Sequence, residues 1–199
     1  MKEKKINKEE WLKPENMIRL YSRGAFPMAD EITGEINWYL PEVRTIIPLD
    51  SYNIPRSLNK ILKENIFELK YDHNFNAVVK GCADRNETWI SDRLIQAYLK
   101  LNKLGHVHTV ETWQKGKLVG GLYGISFRGA FFGESMFSKV SQASKAALVK
   151  LLERLNEKKF VMLDVQYMTP HLKMFGAKEI SFEEFNNLLQ KSYKKNCQF

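Results

Sequence analysis

Residues 106–137 read HVHTVETWQKGKLVGGLYGISFRGAFFGESMF, and this stretch predicts three consecutive β-strands. The predicted strands are 106–114, 117–127 and 129–137, with short glycine-containing turns between them. Turns this short join antiparallel neighbours, so the pattern is typical of an antiparallel meander. Residues 141–158 follow as a long amphipathic helix, and residues 160–166 as a further buried strand.

The order β-β-β-α-β-α is that of a GNAT-like acyltransferase core, which is an analogy at the level of the fold and names no substrate. We therefore predict an α+β fold, with a mixed or antiparallel sheet flanked by helices. Residues 5–23 predict a helix interrupted near Pro14, and residues 24–44 predict a loop because glycine and proline recur there. The expected domains are a small N-terminal segment, 1–43, and a catalytic domain, 44–199.

Composition narrows the class of protein. The chain has 199 residues, is 44% hydrophobic and 27% charged, and carries a formal charge of +8. No apolar run approaches the roughly 20 residues of a membrane helix, and no signal peptide is seen, so we expect a cytoplasmic location. Two cysteines predict neither a disulfide framework nor a zinc site. The positive charge fits an anionic partner such as nucleic acid, and equally fits simple solubility.

Acidic residues interrupt two of the best predicted strands. Glu134 lies in FFGESMF and Asp164 in MLDVQ, although strand interiors are depleted in acids. Strict alternation places Phe132, Glu134 and Met136 on one face, and Asp164 with Gln166 on one face of the next strand. Taken alone, Glu134 fits an ion pair with a lysine at the rim of the sheet, and Asp164 fits a cap of the next helix. Two acids and a glutamine in consecutive core strands favour a site.

Three further patterns bear on ligands. The loop after the third strand, within SKVSQASKA, has no glycine and so does not fit the pyrophosphate of CoA. Arg56, Lys60 and Lys63 share one face of a predicted helix, either as a solvated surface or as a phosphate contact. His106 and His108 alternate onto one strand face without a third metal ligand nearby, which favours hydrogen-bonded structural roles.

The chain resembles the leucyl/phenylalanyl-tRNA–protein transferases. The resemblance rests on YSRGAFP, WYLPEVR, GCADRNETWI, AYLKLNKLGHVHTVETW, LVGGLYG, FFGESMFS, ASKAALVKL, LDVQ and HLKMFGA, which follow the family order over about residues 20–180. It implies transfer of leucine or phenylalanine, and in some cases methionine, from aminoacyl-tRNA to proteins with N-terminal arginine or lysine. Such proteins then enter the N-degron pathway. No metal, nucleotide or CoA is implied as a cofactor.

The resemblance also assigns residues. It implies Asp164 and Gln166 as a proton relay and Glu134 as the acid at the donor and acceptor amino groups. It implies a side-chain pocket formed by Leu122, Phe132, Met136, Leu148, Leu151 and Leu163. It implies that Trp89 contacts the 3′ adenosine of the tRNA, and that the basic face of Arg56, Lys60 and Lys63 lies against the acceptor-stem phosphates.

Three departures from the family pattern concern the donor side. Met28 stands in GAFPM where the family has a tryptophan expected to stack on adenine, and Leu40 stands in WYLP in place of a serine. An N-terminal GLLAxGGDL pattern is absent. The alternatives to the transferase are a CoA-dependent N-acyltransferase of the same fold, against which the glycine-free loop argues, and a non-catalytic tRNA-binding module, in which Asp164 and Gln166 would be dispensable.

Overall fold

A computed structural model of the chain describes residues 8–85 and 87–199. A 3-10 helix, Lys8–Leu12, comes first. The α-helices are α1 Pro14–Tyr21, α2 Arg56–Lys63, α3 Phe75–Ala83, α4 Asp92–Lys103, α5 Ala143–Glu157, α6 Pro170–Lys173 and α7 Phe182–Tyr193. The strands are β1 Phe26–Ala29, β2 Ile36–Tyr39, β3 Val43–Ile47, β4 Glu68–Tyr71, β5 Val107–Gln114, β6 Lys117–Phe127, β7 Ala130–Ser138, β8 Met162–Gln166 and β9 Lys178–Ser181.

Local sequence explains where the helices begin. Pro14 occupies the first turn of α1, where its missing N–H costs nothing. The Asn74 and Ser91 side chains accept hydrogen bonds from the first turns of α3 and α4. Ser181 and Glu184 form a capping box at the start of α7. Each cap satisfies backbone N–H groups that a helix cannot satisfy itself.

The main sheet has seven strands in the order β4-β5-β6-β7-β8-β3-β9. The meander β5-β6-β7 is antiparallel, as its turns predict, and α5 connects β7 to β8 as a parallel neighbour. β3 and β9 complete the sheet in antiparallel pairing. This order of elements confirms the prediction of an α+β, GNAT-like core flanked by helices.

Helices cover both faces of the sheet. On one face, α2 and α5 pack against Val110, Leu122, Phe131 and Leu163. On the other face, residues of α1, α3, α4 and α7 pack against Tyr123, Ile125, Phe132 and Met162. In the described part of the chain, no helix is long and apolar enough to cross a membrane.

The segment predicted as a loop contains a hairpin instead. β1 and β2 pair antiparallel, from Phe26 opposite Tyr39 to Ala29 opposite Ile36. The Asp30 carboxylate accepts hydrogen bonds from the backbone N–H groups of Ile32 and Thr33, which organises the turn between the strands. Four-residue strands with a proline give a weak sequence signal, which is why the prediction failed here.

The N-terminal segment shares its core with the rest of the chain. Met17, Tyr21, Phe26 and Ile36 are buried in the same hydrophobic cluster as residues of α3, α4 and the sheet. The division into domains 1–43 and 44–199 stays a prediction, and the shared core is what places Tyr21 beside the residues of the sheet.

Candidate active site

A cavity opens where two strands of the main sheet stop pairing. β7 and β8 are in register from Ala130 opposite Met162 to Phe132 opposite Asp164, and their pairing ends there. Beyond that point lies a cavity of about 600 Å³, within the range of small-molecule sites. Its lining includes Phe26, Met28, Arg85, Trp89, Leu122, Tyr123, Gly133, Glu134, Ser135, Met136, Phe137, Leu148, Leu151, Leu163, Val165, Gln166, Tyr167 and His171.

A β-bulge carries Glu134 into this cavity. On β6 and β7, Tyr123 is opposite Ser135 and Gly124 is opposite Gly133, so Glu134 is the extra residue between two pairs. A Cβ at Gly124 would overlap Phe131 and the Phe132 carbonyl, which explains the glycine beside the bulge. Bulges re-aim side chains and are common next to active sites. Strict alternation therefore fails here, and Met136 packs on the opposite face of the sheet from Phe132.

Two tyrosines hold the Glu134 carboxylate. Tyr21 donates a hydrogen bond to Oε1 and Tyr98 to Oε2, each over 2.9 Å. Burial raises the pKa of Glu134 to about 8, against the opposing effect of the two hydrogen bonds. The Asp164 charge raises this pKa further and Arg44 lowers it. Glu134 is therefore an acid that exchanges its proton near neutral pH.

The tyrosines themselves remain protonated donors. Burial and the Glu134 charge raise the pKa of Tyr21, Tyr98 and Tyr123 well above the usual value. Tyr123 also lines the cavity, and its buried hydroxyl has no hydrogen-bond partner among the described residues. An unsatisfied buried hydroxyl is costly, so Tyr123 offers a contact to a ligand.

Asp164 has a different environment. It is fully buried, is not among the residues that line the cavity, and forms an ion pair with the equally buried Arg44. Arg44 Nε donates to Asp164 Oδ1 over 3.2 Å, and Arg44 Nη1 donates to the Gly24 carbonyl over 2.5 Å. Phe26 and Phe185 lie against the guanidinium at 4.9 and 4.5 Å.

Asp164 also fixes Gln166. Its Oδ1 accepts a hydrogen bond from the Gln166 backbone N–H over 3.1 Å, and Gln166 has a left-handed φ of +59°. The Gln166 side chain donates to the Gly133 carbonyl over 2.6 Å, which bridges β8 to β7 at the cavity. The left-handed backbone is unfavourable for glutamine, so the surrounding bonds hold it in place. Asp164 thus contributes to the shape of the cavity by holding Gln166 in place.

Five predicted pocket residues line the apolar part of the cavity: Leu122, Met136, Leu148, Leu151 and Leu163. Phe132 does not. It is 1% exposed and packs against Tyr21, with ring centroids 5.5 Å apart. The bulge is the reason, because it breaks the alternation from which Phe132 and Met136 were placed on one face.

Trp89 and Met28 both line the cavity, as their predicted base contact requires. Tyr167 lines it as well, is 49% exposed, and packs edge-on against Phe26 at 5.7 Å. Arg56, Lys60 and Lys63 are exposed on α2 and lie outside the cavity. The residues predicted to contact the base thus line the cavity, whereas those predicted to contact the phosphates lie outside it.

His108 in β5 and His106, which immediately precedes this strand, both make hydrogen bonds. His108 contacts Asp72 Oδ2 through Nδ1 at 2.8 Å and Ser126 Oγ through Nε2 at 3.1 Å, and the Phe199 ring stacks on it at 4.4 Å. His106 Nδ1 contacts the Ser126 carbonyl at 3.3 Å. Among the described residues, no group of three histidine, cysteine or acidic side chains is arranged to hold a metal ion.

Several residues of the site escaped the sequence reasoning. Arg44 carried a usable signal, since it is a charge inside the strand VRTII, as Asp164 is inside MLDVQ. Tyr21 and Tyr98 carried none, because each looks like an ordinary core residue of an amphipathic helix. Arg85 Nε donates to the Cys82 carbonyl, and its Nη2 donates to Ser135 Oγ and the Met136 carbonyl.

The site is thus a cleft between diverging strands, with an exchangeable carboxyl beside an apolar wall. Residues 46–190 match the family model for leucyl/phenylalanyl-tRNA protein transferase, and residues 12–42 match the model for the N-terminal domain of that family. A leucyl/phenylalanyl-tRNA–protein transferase of Salinibacter ruber is 45% identical over 178 residues, covering 89% of this chain and 79% of that protein. The chain belongs to the leucyl/phenylalanyl-tRNA protein transferase family.

Solved structures are more distant. L-PGS from Bacillus licheniformis matches at 13% identity and a TM-score of 0.43, over 92% of this chain and 63% of that one. The C-terminal domain of a putative lysylphosphatidylglycerol synthetase from Agrobacterium fabrum matches at 11% identity and a TM-score of 0.44, over 87% and 59%. Scores of this size do not define a common fold.

Proposed function

We propose that this protein transfers leucine or phenylalanine, and also methionine, from aminoacyl-tRNA to the N-terminal arginine or lysine of acceptor proteins. The proposal rests on family membership together with one feature of the site, namely Glu134 beside an apolar wall. The reaction belongs in the cytoplasm, where tRNA is charged. The new N-terminal residue would mark the acceptor for N-degron degradation.

The chemistry needs no further activation of the donor. The acceptor α-amine attacks the carbonyl carbon of the aminoacyl ester, the C–N bond forms, and the C–O bond to the ribose breaks. The ribose oxygen leaves as a hydroxyl, and the amine loses a proton. The pKa of Glu134, about 8, is close to the roughly 7.7–8.0 of an α-amine, so this proton passes between them at little cost.

The acceptor preference has an electrostatic rationale. Glu134 is the only carboxylate among the described residues that line the cavity. A cationic amine or side chain beside it lowers its pKa and favours the ionised base. Gln166 and Tyr123 provide polar groups at the same cavity, and we assign them to positioning the substrates.

The transferred side chain is assigned to the apolar wall formed by Leu122, Met136, Leu148, Leu151 and Leu163. An adaptable methionine suits a pocket that accepts both a branched and an aromatic side chain. The terminal adenine is assigned to Trp89 and Tyr167, since aromatic rings at the cavity offer flat surfaces for a base. Met28 occupies the position at which the family has a tryptophan, and Tyr167 adds an aromatic ring to this cavity.

The test is transfer of radiolabelled phenylalanine from Phe-tRNA to peptides beginning with arginine, lysine or alanine, without CoA or ATP. We expect labelling of the arginine and lysine peptides and none of the alanine peptide. Tight Phe-tRNA binding without transfer to any peptide would instead support the RNA-binding module. Acetylation of the peptides from acetyl-CoA would support the CoA-dependent enzyme.

A further inference from the structure

A second cavity adjoins the active site. Its volume is about 400 Å³, and it lies between α3 and the ends of β6 and β7. It is lined by Ala77, Lys80, Gly81, Asp84, Leu118, Phe137 and Lys139. Phe137 is a wall of both cavities, and the reaction described above gives no role to the residues that line the second one.

Gly81 shapes the second cavity. A Cβ at this position would lie 2.8 Å from the Phe137 ring, closer than real Cβ contacts allow. Glycine in α3 therefore lets the phenylalanine of β7 lie directly against the helix. Since glycine is unfavourable inside a helix, its presence in mid-α3 is accounted for by this close approach.

The charges at the second cavity favour an anion. Lys80 and Lys139 are exposed, and neither forms an ion pair with any residue the structure describes. Asp84 contributes one carboxylate at the same cavity. Two ammonium groups repel a cationic peptide side chain, whereas they attract a phosphate.

Arg85 lies at the junction of the two cavities. It follows Asp84 of the second cavity directly in the chain, and it lines the first. Its bonds to the Cys82 and Met136 carbonyls tie α3 to β7 at 2.8 and 3.0 Å. These bonds use Nε and Nη2, and in the described part of the chain Nη1 makes no hydrogen bond. A fixed guanidinium with a free donor suits a phosphate oxygen.

We propose that the second cavity binds the cytidine that precedes the terminal adenosine of the donor tRNA, with Arg85 at the phosphate that joins the two nucleotides. This inference rests on the proposed function, which places the terminal adenosine in the first cavity. Asp84 accepts a hydrogen bond from the cytosine N4 amino group, a pairing that carboxylates make with this base. Lys80 and Lys139 contact the phosphates, and Ala77 and Leu118 pack against the base.

The test measures binding of two non-reactive donors by the fluorescence of the protein's tryptophans. One is adenosine carrying phenylalanine through a 3′ amide, and the other is the same molecule extended by a 5′ cytidylyl group that itself carries a 5′ phosphate. We expect the wild-type protein to bind the extended donor at least about tenfold more tightly, the size of one good base contact. Lys139→Ala and Asp84→Asn should each remove most of this gain and leave binding of the shorter donor unchanged.

Controls separate the possible outcomes. Lys191→Ala removes an exposed lysine of α7, outside both cavities, and should keep the full gain. A uridylyl extension should bind more weakly than the cytidylyl one in the wild type and equally in Asp84→Asn. Equal binding of short and extended donors by the wild type would overturn the proposal, as would equal losses in Lys191→Ala. Because binding is measured without transfer, failure of the proposed reaction is detected separately.

Discussion

Glu134 and Asp164 lie in neighbouring strands of one sheet, yet their environments differ in every respect that matters to a carboxyl group. Glu134 lies at a bulge, lines the cavity and receives two tyrosine hydrogen bonds. Asp164 is fully buried, is not among the residues that line the cavity and is paired with Arg44. The first group is poised to exchange a proton, whereas the second is fixed as the partner of a cation.

The comparison shows that an acid inside an apolar strand has no single meaning. Glu134 touches the space where the substrates are assigned, and we propose it as the catalytic carboxyl. Asp164 acts through others, because it holds Arg44 and the left-handed backbone of Gln166. We therefore propose Asp164 as a positioning residue. Variants of both acids can test this difference in role.

The largest effect is expected for Glu134→Gln. This variant keeps the size of the side chain but accepts no proton, so the single-turnover rate of transfer to an arginine peptide should fall about 10²- to 10⁴-fold. Donor binding should change much less. The rate is measured by quench-flow with radiolabelled Phe-tRNA, alongside the thermal midpoint of unfolding.

A matched control is available in β5. Glu111 is fully buried and accepts hydrogen bonds from the Thr109 hydroxyl and the Trp113 indole, both over 2.9 Å. It is not among the residues that line the cavity, so Glu111→Gln should transfer at close to the wild-type rate at temperatures where it is folded. Equal rates in wild type and Glu134→Gln would show Glu134 to be structural.

The second effect concerns stability. Asp164→Asn leaves Arg44 as an uncompensated buried charge, so the free energy of unfolding should fall by about 3–5 kcal/mol. The double variant Arg44→Met/Asp164→Asn should recover part of this loss, because the stranded charge is gone. Urea unfolding measures all three proteins. If Asp164→Asn were as stable as the wild type, the Arg44–Asp164 ion pair would not be needed to compensate a buried charge.

A smaller effect is expected when one tyrosine is removed. Tyr98→Phe deletes the donor to Glu134 Oε2, a hydrogen bond to a charged group worth about 1.5–3 kcal/mol. The ionised form loses this support, so the pKa of Glu134 should rise further. Transfer below pH 8 should slow, and raising the pH should restore it. A pH profile identical to wild type would show that the Tyr98 hydrogen bond does not affect the proton affinity of Glu134.

The smallest effect is the pH dependence of stability. The pKa of Glu134 is about 8 in the fold against an ordinary value of 4.5, so the fold binds this proton more tightly than the unfolded chain. Its contribution is complete below about pH 4.5 and is lost as the pH rises towards 8. Between pH 5 and 8, wild type should lose roughly 1–2 kcal/mol of stability relative to Glu134→Gln. This figure is smaller than the full pKa shift implies, because solvent in the cavity screens the charge of Glu134. A constant difference in urea unfolding would contradict this sign.

The fold was predictable where hydrophobic periodicity is strong. The meander β5-β6-β7, helix α5 and strand β8 were expected from alternation, short turns and an amphipathic pattern, and the structure confirms them. The β1-β2 hairpin was not expected, because its strands are short and its pairing is set by the turn at Asp30 rather than by alternation. The strand signals of β1 and β2 are weaker than the turn signals of the glycines and prolines around them.

The site was predictable in its residue types but not in its geometry. The oddity of acids in strands drew attention to Glu134 and Asp164, and the structure places Glu134 beside Tyr21 and Tyr98 and Asp164 beside Arg44. No alternation rule reveals that Glu134 occupies a bulge, so Met136 was predicted on the same face as Phe132, whereas the structure places the two on opposite faces. Contacts across long sequence separations, such as Tyr21 with Glu134, follow only from tertiary packing.

Carbon-13 NMR of glutamate labelled at its side-chain carboxyl tests the proton affinity of Glu134 most directly. The Glu134 resonance is assigned as the signal absent from Glu134→Gln and is followed from pH 3 to pH 10. The account predicts a titration midpoint near 8 in the free protein. It also predicts a lower midpoint once a peptide with an N-terminal arginine is bound. A midpoint near the ordinary glutamate value, unchanged by the peptide, would contradict the assignment of Glu134 as the group that exchanges the proton.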